Sequence, residues 1–293
     1  YSRDELNRSH HFHFRDGSFR VIGFKIDGRD LEKKNLEEFL AKLAESLRSS
    51  LPELTYDAEL THQGSSLYVL ANYGPEAKAP IEAVLRKILN EAKISLPPFG
   101  LMLTIGLGEE VEDLTALHAA IASAKKAIDD RVVKGIGRLI EASRSDPGRT
   151  YNEDHFCEFT KEFTKAVELL DPEEIEKVIN TLKSDLGREK VGGSEIKRLV
   201  REIGNTYYIT LRNNKVKLTD GSAEQRQLET VIDNCYSLDL LFQELGKHFT
   251  ASIAKLVKDN TQKNLGQIRQ AKLYIEANYM KNLTLEELGS YLG

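Results

Sequence analysis

Apolar residues in the first 140 positions alternate between two periods. Phe19 to Asp27 (FRVIGFKID) is rich in β-branched and aromatic residues and predicts a strand. Leu36, Phe39, Leu40, Leu43 and Leu47 then recur at helical spacing across 36–51. Tyr56 to His62 and Leu67 to Tyr73 predict two more strands, joined by the hairpin signal Gln63-Gly64-Ser65-Ser66. Pro80 opens a helix carrying Ile81, Val84, Leu85, Ile88 and Leu89. Leu101 to Leu107 (LMLTIGL) is another strand-type run. Asp113 to Arg131 predicts a helix whose Ala119, Ala120, Ala122, Ala124 and Ala127 let it lie close on a sheet.

That order, β-α-β-β-α-β-α, predicts a ferredoxin-like core: an antiparallel sheet with helices on one face, plus a C-terminal helix. After a linker at Ser143 to Thr150 only the helical period remains. Phe156, Phe159, Phe163, Ala166, Val167 and Leu170 form one stripe. Asp171 followed by Pro172 and Glu174 starts a helix with Ile175, Val178, Ile179, Leu182 and Leu186 inward. Ser194 is placed to cap the next, through Ile196, Leu199, Val200 and Ile203. Further stripes run through Leu228, Val231, Ile232 and Cys235, and through Leu238, Leu241, Phe242, Leu245, Phe249, Ile253 and Leu256. The last of these fits either a bundle core or a helix-pair interface, hence a possible dimer stripe. A final long helix carries Ile268, Ala271, Ile275 and Tyr279. The fold class expected is α+β, in three parts: 1–142, 151–265 and 266–293.

The chain closes on TLEELGSYLG. Thr284 and Glu287 form a capping box, with Leu283 and Leu288 as its staple. Leu288 and Leu292 have no following element to pack against, and the first residue is Tyr, so both ends read as fragment boundaries. No apolar run approaches the ~18 residues of a membrane span, so no membrane partner is expected. Cys157 and Cys235 fall inside amphipathic patterns, and two buried thiols without a disulfide framework fit a reducing cytosol. A net charge of −5 speaks against most of the chain being a nucleic-acid surface.

Ile268 to Ile275 (IRQAKLYI), Asn278-Tyr279 and Leu283 to Leu288 (LTLEEL) together resemble the opening of an AraC-type DNA-binding domain. In that family Thr284, Leu285, Glu287 and Leu288 would start the first helix of a helix-turn-helix, with the recognition helix following. Upstream, Phe14-Arg15-Asp16-Gly17, Thr104 to Gly108 (TIGLG) and the Ala-rich helix to Arg131 resemble the central region of YesN-like response regulators. Those carry a degenerate cyclase-like (GGDEF-like) module and a helical segment between a receiver and the DNA-binding domain. The resemblance implies a homodimer that regulates transcription, binding DNA only in the full-length parent. A sensor histidine kinase would act on the absent receiver. It implies no cofactor and no catalytic residue.

An active cyclase holds divalent metal with two carboxylates, since Mg²⁺ requires hard oxygen ligands. Laying its Asp-x-Asp pair on Lys25-Ile26-Asp27 puts the Lys25 cation where a ligand belongs, and Gln63 to Tyr73 contains no carboxylate. No turnover is expected. The alternative is a small-molecule or nucleotide sensor without turnover.

Other candidates have plain readings. His11 and His13 of SHHFHF would share a face of an extended segment, but a solvated edge with Phe12 and Phe14 turned inward accounts for them, and no metal is expected. Gly106-Leu107-Gly108-Glu109 reads as a turn, since Glu109, Glu110, Glu112 and Asp113 would repel phosphate. Lys125, Lys126, Arg131 and Lys134 read as a solvated helix face. Asp57, Glu59 and His62 read as a strand edge.

Overall fold

The computed structural model describes residues 3–28, 33–142, 149–214, 216, 221–278 and 287–289. Most of the linker at 143–150 and the Thr284 capping box therefore lie outside the described residues. Glu287 and Leu288 are helical.

The first half runs α1 (Arg3–His10), β1 (Ser18–Gly28), α2 (Lys33–Ser50), β2 (Asp57–Gln63), β3 (Ser66–Tyr73), α3 (Lys78–Ser95), β4 (Leu101–Val111), α4 (Leu117–Asp129), α5 (Arg131–Lys134) and β5 (Leu139–Glu141). The sheet order is β2-β3-β1-β4-β5. Its first four strands pair antiparallel in the ferredoxin-like order, while β5 joins β4 in parallel. The sheet is therefore mixed rather than wholly antiparallel.

Helices also cover both faces rather than one. Ile22, Phe24 and Ile26 of β1 pack in one apolar cluster with Leu40, Leu43 and Leu47 of α2 and Ile81, Leu85 and Ile88 of α3. Phe19 and Val21 point to the opposite face and join Ala120 and Ala124 of α4. The alternation follows from the two-residue period of a strand, and it places Lys25 and Asp27 in series with Val21, on the α4 side. Gly106-Leu107-Gly108 is not a turn; it lies inside β4. A Cβ on Gly106 would stand 2.9 Å from Ile128 Cγ1, so the glycine is what lets α4 rest directly on the strand.

The second half contains α6 (Glu153–Glu168), α7 (Pro172–Glu189), α8 (Gly193–Asn213), α9 (Gly221–Asn234) and α10 (Leu238–Asn278). Asp171 caps α7, its Oδ1 accepting from the amides of Glu173 and Glu174 at 3.1 Å. One apolar cluster unites the five helices. Phe163 of α6 lies 5.5 Å, ring to ring, from Phe249 of α10, and Tyr207 of α8 lies 4.5 Å from the same ring.

Of the two readings of the long stripe, the packing matches the bundle core. Leu241, Phe242, Leu245, Phe249, Ile253 and Leu256 are all buried inside the chain's own bundle, with Leu238 packed against its margin. The α6, α7 and α9 faces cover the surface a second copy would have needed. Cys157, expected inside, is exposed, while Cys235 is buried. The stripe and the final long helix are one element, since α10 continues unbroken for 41 residues, about 60 Å at 1.5 Å per residue. The boundary expected at 265/266 falls within it. No helix among the described residues is long and apolar enough to cross a membrane.

Candidate functional site

The position a cyclase would use for metal and nucleotide is formed by the end of β1 and the β2–β3 hairpin. Gly64, with φ +58, supplies the left-handed residue of the two-residue hairpin turn. That turn carries Ser65 to the end of β1, where Lys25 Nζ hydrogen-bonds its hydroxyl. Lys25 Nζ also donates to Asn234 Oδ1 at 3.3 Å. Asn234 is the last residue of α9, so the helical half reaches directly into this corner.

Two residues further along β1, Asp27 is fully buried at 1% exposure. Arg131 Nε donates to both its oxygens, at 3.1 and 2.9 Å. Arg131 is itself wholly buried on α5. Its Nη1 donates to the Ile128 carbonyl at 3.1 Å, and its Nη2 donates to the carbonyls of Asp233 at 2.9 Å and Cys235 at 3.4 Å. Beside it, Lys197 of α8 donates to Asp129 Oδ1 at 2.7 Å. Asp130 Oδ1 accepts from the Gly193 amide at 3.0 Å. That bond explains why α8 begins at Gly193 and not behind a Ser194 cap. A Cβ at Gly193 would meet the Asp129 carbonyl oxygen at 2.3 Å, so only glycine admits this approach of two backbones.

The corner is thus a closed, charged joint between the halves. The Lys25 pKa is lowered to about 8, first by burial and then by the Arg131 charge, which outweighs what Asp27 restores. Lys197 is lowered for the same two reasons, burial first and then Arg131. Burial, then the Asp129 charge, raises Tyr68 on the neighbouring β3. Chemically the arrangement has little to offer a divalent cation. Lys25 repels it, Asp27 is engaged by a guanidinium, and the hairpin has no acid from Gln63 to Tyr73. Among the described residues no group of three or more His, Cys, Asp or Glu is placed to hold a metal.

The remaining candidates are scattered. His10 ends α1 and His11 has φ +60, which breaks the extended register that would have aligned His11 with His13. The His13 amide donates to Asp57 Oδ2 at 2.6 Å, and Phe14 is buried as expected of an edge segment. Arg131 departs from the solvated-face reading of its basic neighbours, being buried and ion-paired. Lys134 pairs with Asp130 at 3.0 Å. The sequence did single out Lys25 and Asp27. It did not single out Asp129, Asp130, Gly193, Lys197 or Asn234, whose only signal was a run of charges, Asp129-Asp130-Arg131, at the end of an Ala-rich helix.

No family model matches the chain. Among curated proteins it is similar to the chromosomal replication initiator protein DnaA of Lachnoclostridium phytofermentans, 29% identical over 106 residues. That match covers 34% of this chain and 23% of the initiator, so the chain spans under a quarter of its relative's length.

Proposed function

We propose that the chain is the signal-coupling part of an AraC-type transcriptional regulator of the YesN-like kind, without enzymatic turnover of its own. The observation that supports this best is the closed joint. The end of β1 and the hairpin turn, which a cyclase would turn to a nucleotide, face a helical bundle here. The residues that bridge the corner, Asp233 to Cys235, close α9 and lead through Tyr236 and Ser237 into α10. A displacement at the joint therefore reaches the helix that runs on toward the Glu287 segment and its AraC-like motif. A phosphorelay input and a homodimeric active form belong to the same proposal. Because the α10 stripe is core, the dimer requires another surface.

The test is nuclease protection of genomic DNA by the protein of the complete reading frame, at physiological salt. Two protected half-sites, one or more helical turns of about 10.5 base pairs apart, are expected of a two-fold regulator. Binding that is uniform across sequences, or none at all, would refute the reading.

A further inference from the structure

We propose that the joint is a releasable lock, in which the helical bundle docks on and comes off the β1–hairpin corner as an intact unit. This rests on the geometry of the joint and not on the transcriptional reading, so either can fail alone.

Three observations point to it. First, the apolar clusters do not merge across the joint. One lies wholly in the bundle and the other two wholly in the sheet half, so each half keeps its own core when they part. Second, a set of hydrogen bonds and an ion pair crosses the joint. Lys197 meets Asp129, Lys25 meets Asn234, the Arg131 guanidinium meets the Asp233 and Cys235 carbonyls, and the Gly193 amide meets Asp130. A buried ion pair pays a desolvation penalty close to its Coulombic gain, so water re-entering on opening recovers most of what the contacts are worth. An apolar seam of the same extent would give no such return. Third, opening orphans little. Asp27 and Arg131 belong to the same half and stay paired, and every other partner becomes hydrated.

The charges also fix how docking responds to pH. Lys25 faces Asp27 on its own strand, Arg131 from α5, Lys197 from α8 and Asp233 at the end of α9, with Tyr68 and Asp129 nearby. The docked state lowers Lys25 to about 8 from its ordinary 10.5. Opening rehydrates Lys25 while Arg131 and Asp27 stay beside it, so the open form has the higher Lys25 pKa and binds more protons above pH 8, and docking gains stability as pH rises through that range. Lys197, also lowered, acts in the same direction.

The experiment is hydrogen exchange with mass spectrometry on the whole chain, together with small-angle scattering. Gly193→Val wedges a side chain against the Asp129 backbone, and Lys197→Met removes one bridging charge. Each should speed exchange tenfold or more at 232–235 and enlarge the radius of gyration. Protection within α7 and the inner strands β1 and β3 should remain. Raising the pH from 7.5 to 9 should shrink the enlarged fraction of Lys197→Met. Loss of protection throughout the bundle in Lys197→Met would overturn the proposal, because the bundle would then depend on its seat. So would unchanged exchange at the joint in both variants, or an open fraction that grows with pH.

Discussion

Replacing Arg131 with Met is expected to cost about 3–5 kcal/mol in a denaturant titration, and replacing Asp27 with Leu in the same chain is expected to return the part owed to the unpaired carboxylate. The reason is an asymmetry of buried charge. Asp27 and Arg131 are each about 1% exposed at their side chains. Without the guanidinium the carboxylate stays buried, and the one other cation on its strand face, Lys25, is engaged with Ser65 and Asn234. Removing both charges relieves the unpaired carboxylate, while the carbonyls of Ile128, Asp233 and Cys235 still lose their donor. The measurement is a double-mutant cycle on these two positions. If the single costs merely add in the double variant, Arg131 is not the counter-ion of Asp27 and the description of the joint is wrong.

Phe249→Asp with Ile253→Asp should abolish the helical half altogether. Both side chains are fully buried, Phe249 against Phe163 and Tyr207. Truncating such residues costs about 3–5 kcal/mol for Phe and 2–5 for Ile, and each new carboxylate adds the cost of an unpaired buried charge. The sum exceeds the 5–15 kcal/mol at which whole domains are typically stable. Circular dichroism should show a large loss of helix. A fully helical monomer in light scattering would instead mean that the stripe is an interface and the packing described here is wrong.

How much of this could be read in the chain depends on the distance over which each feature is encoded. The strand β1 was legible because Val21, Ile22, Phe24 and Ile26 lie side by side. The α7 start was legible because Asp171 and Pro172 cap it locally. The unbroken course of α10 was partly legible, since neither Pro nor a strong capping box interrupts 257–278. The three-residue β5 was not, because Leu139–Glu141 is too short to show a period and is held by β4 and by the Arg20–Glu141 ion pair. The two glycines of β4 imitate a turn in one dimension, and only the position of α4 reveals their purpose. The joint was the least legible part. Lys25 stands out as the misfit in a cyclase pattern whose second Asp is matched by Asp27. Their partners stand 104 positions away at Arg131 and 209 away at Asn234, and no local pattern links charges over such separations.

The central claim is that the corner where a cyclase would hold metal and nucleotide is instead a closed joint. Incubating the protein with GTP and Mg²⁺ or Mn²⁺, then resolving the mixture by chromatography, tests that claim most directly. With Lys25 at the metal position, Asp27 held by Arg131 and no acid from Gln63 to Tyr73, the nucleotide should be recovered unchanged. A cyclic dinucleotide formed above a protein-free control would contradict the account.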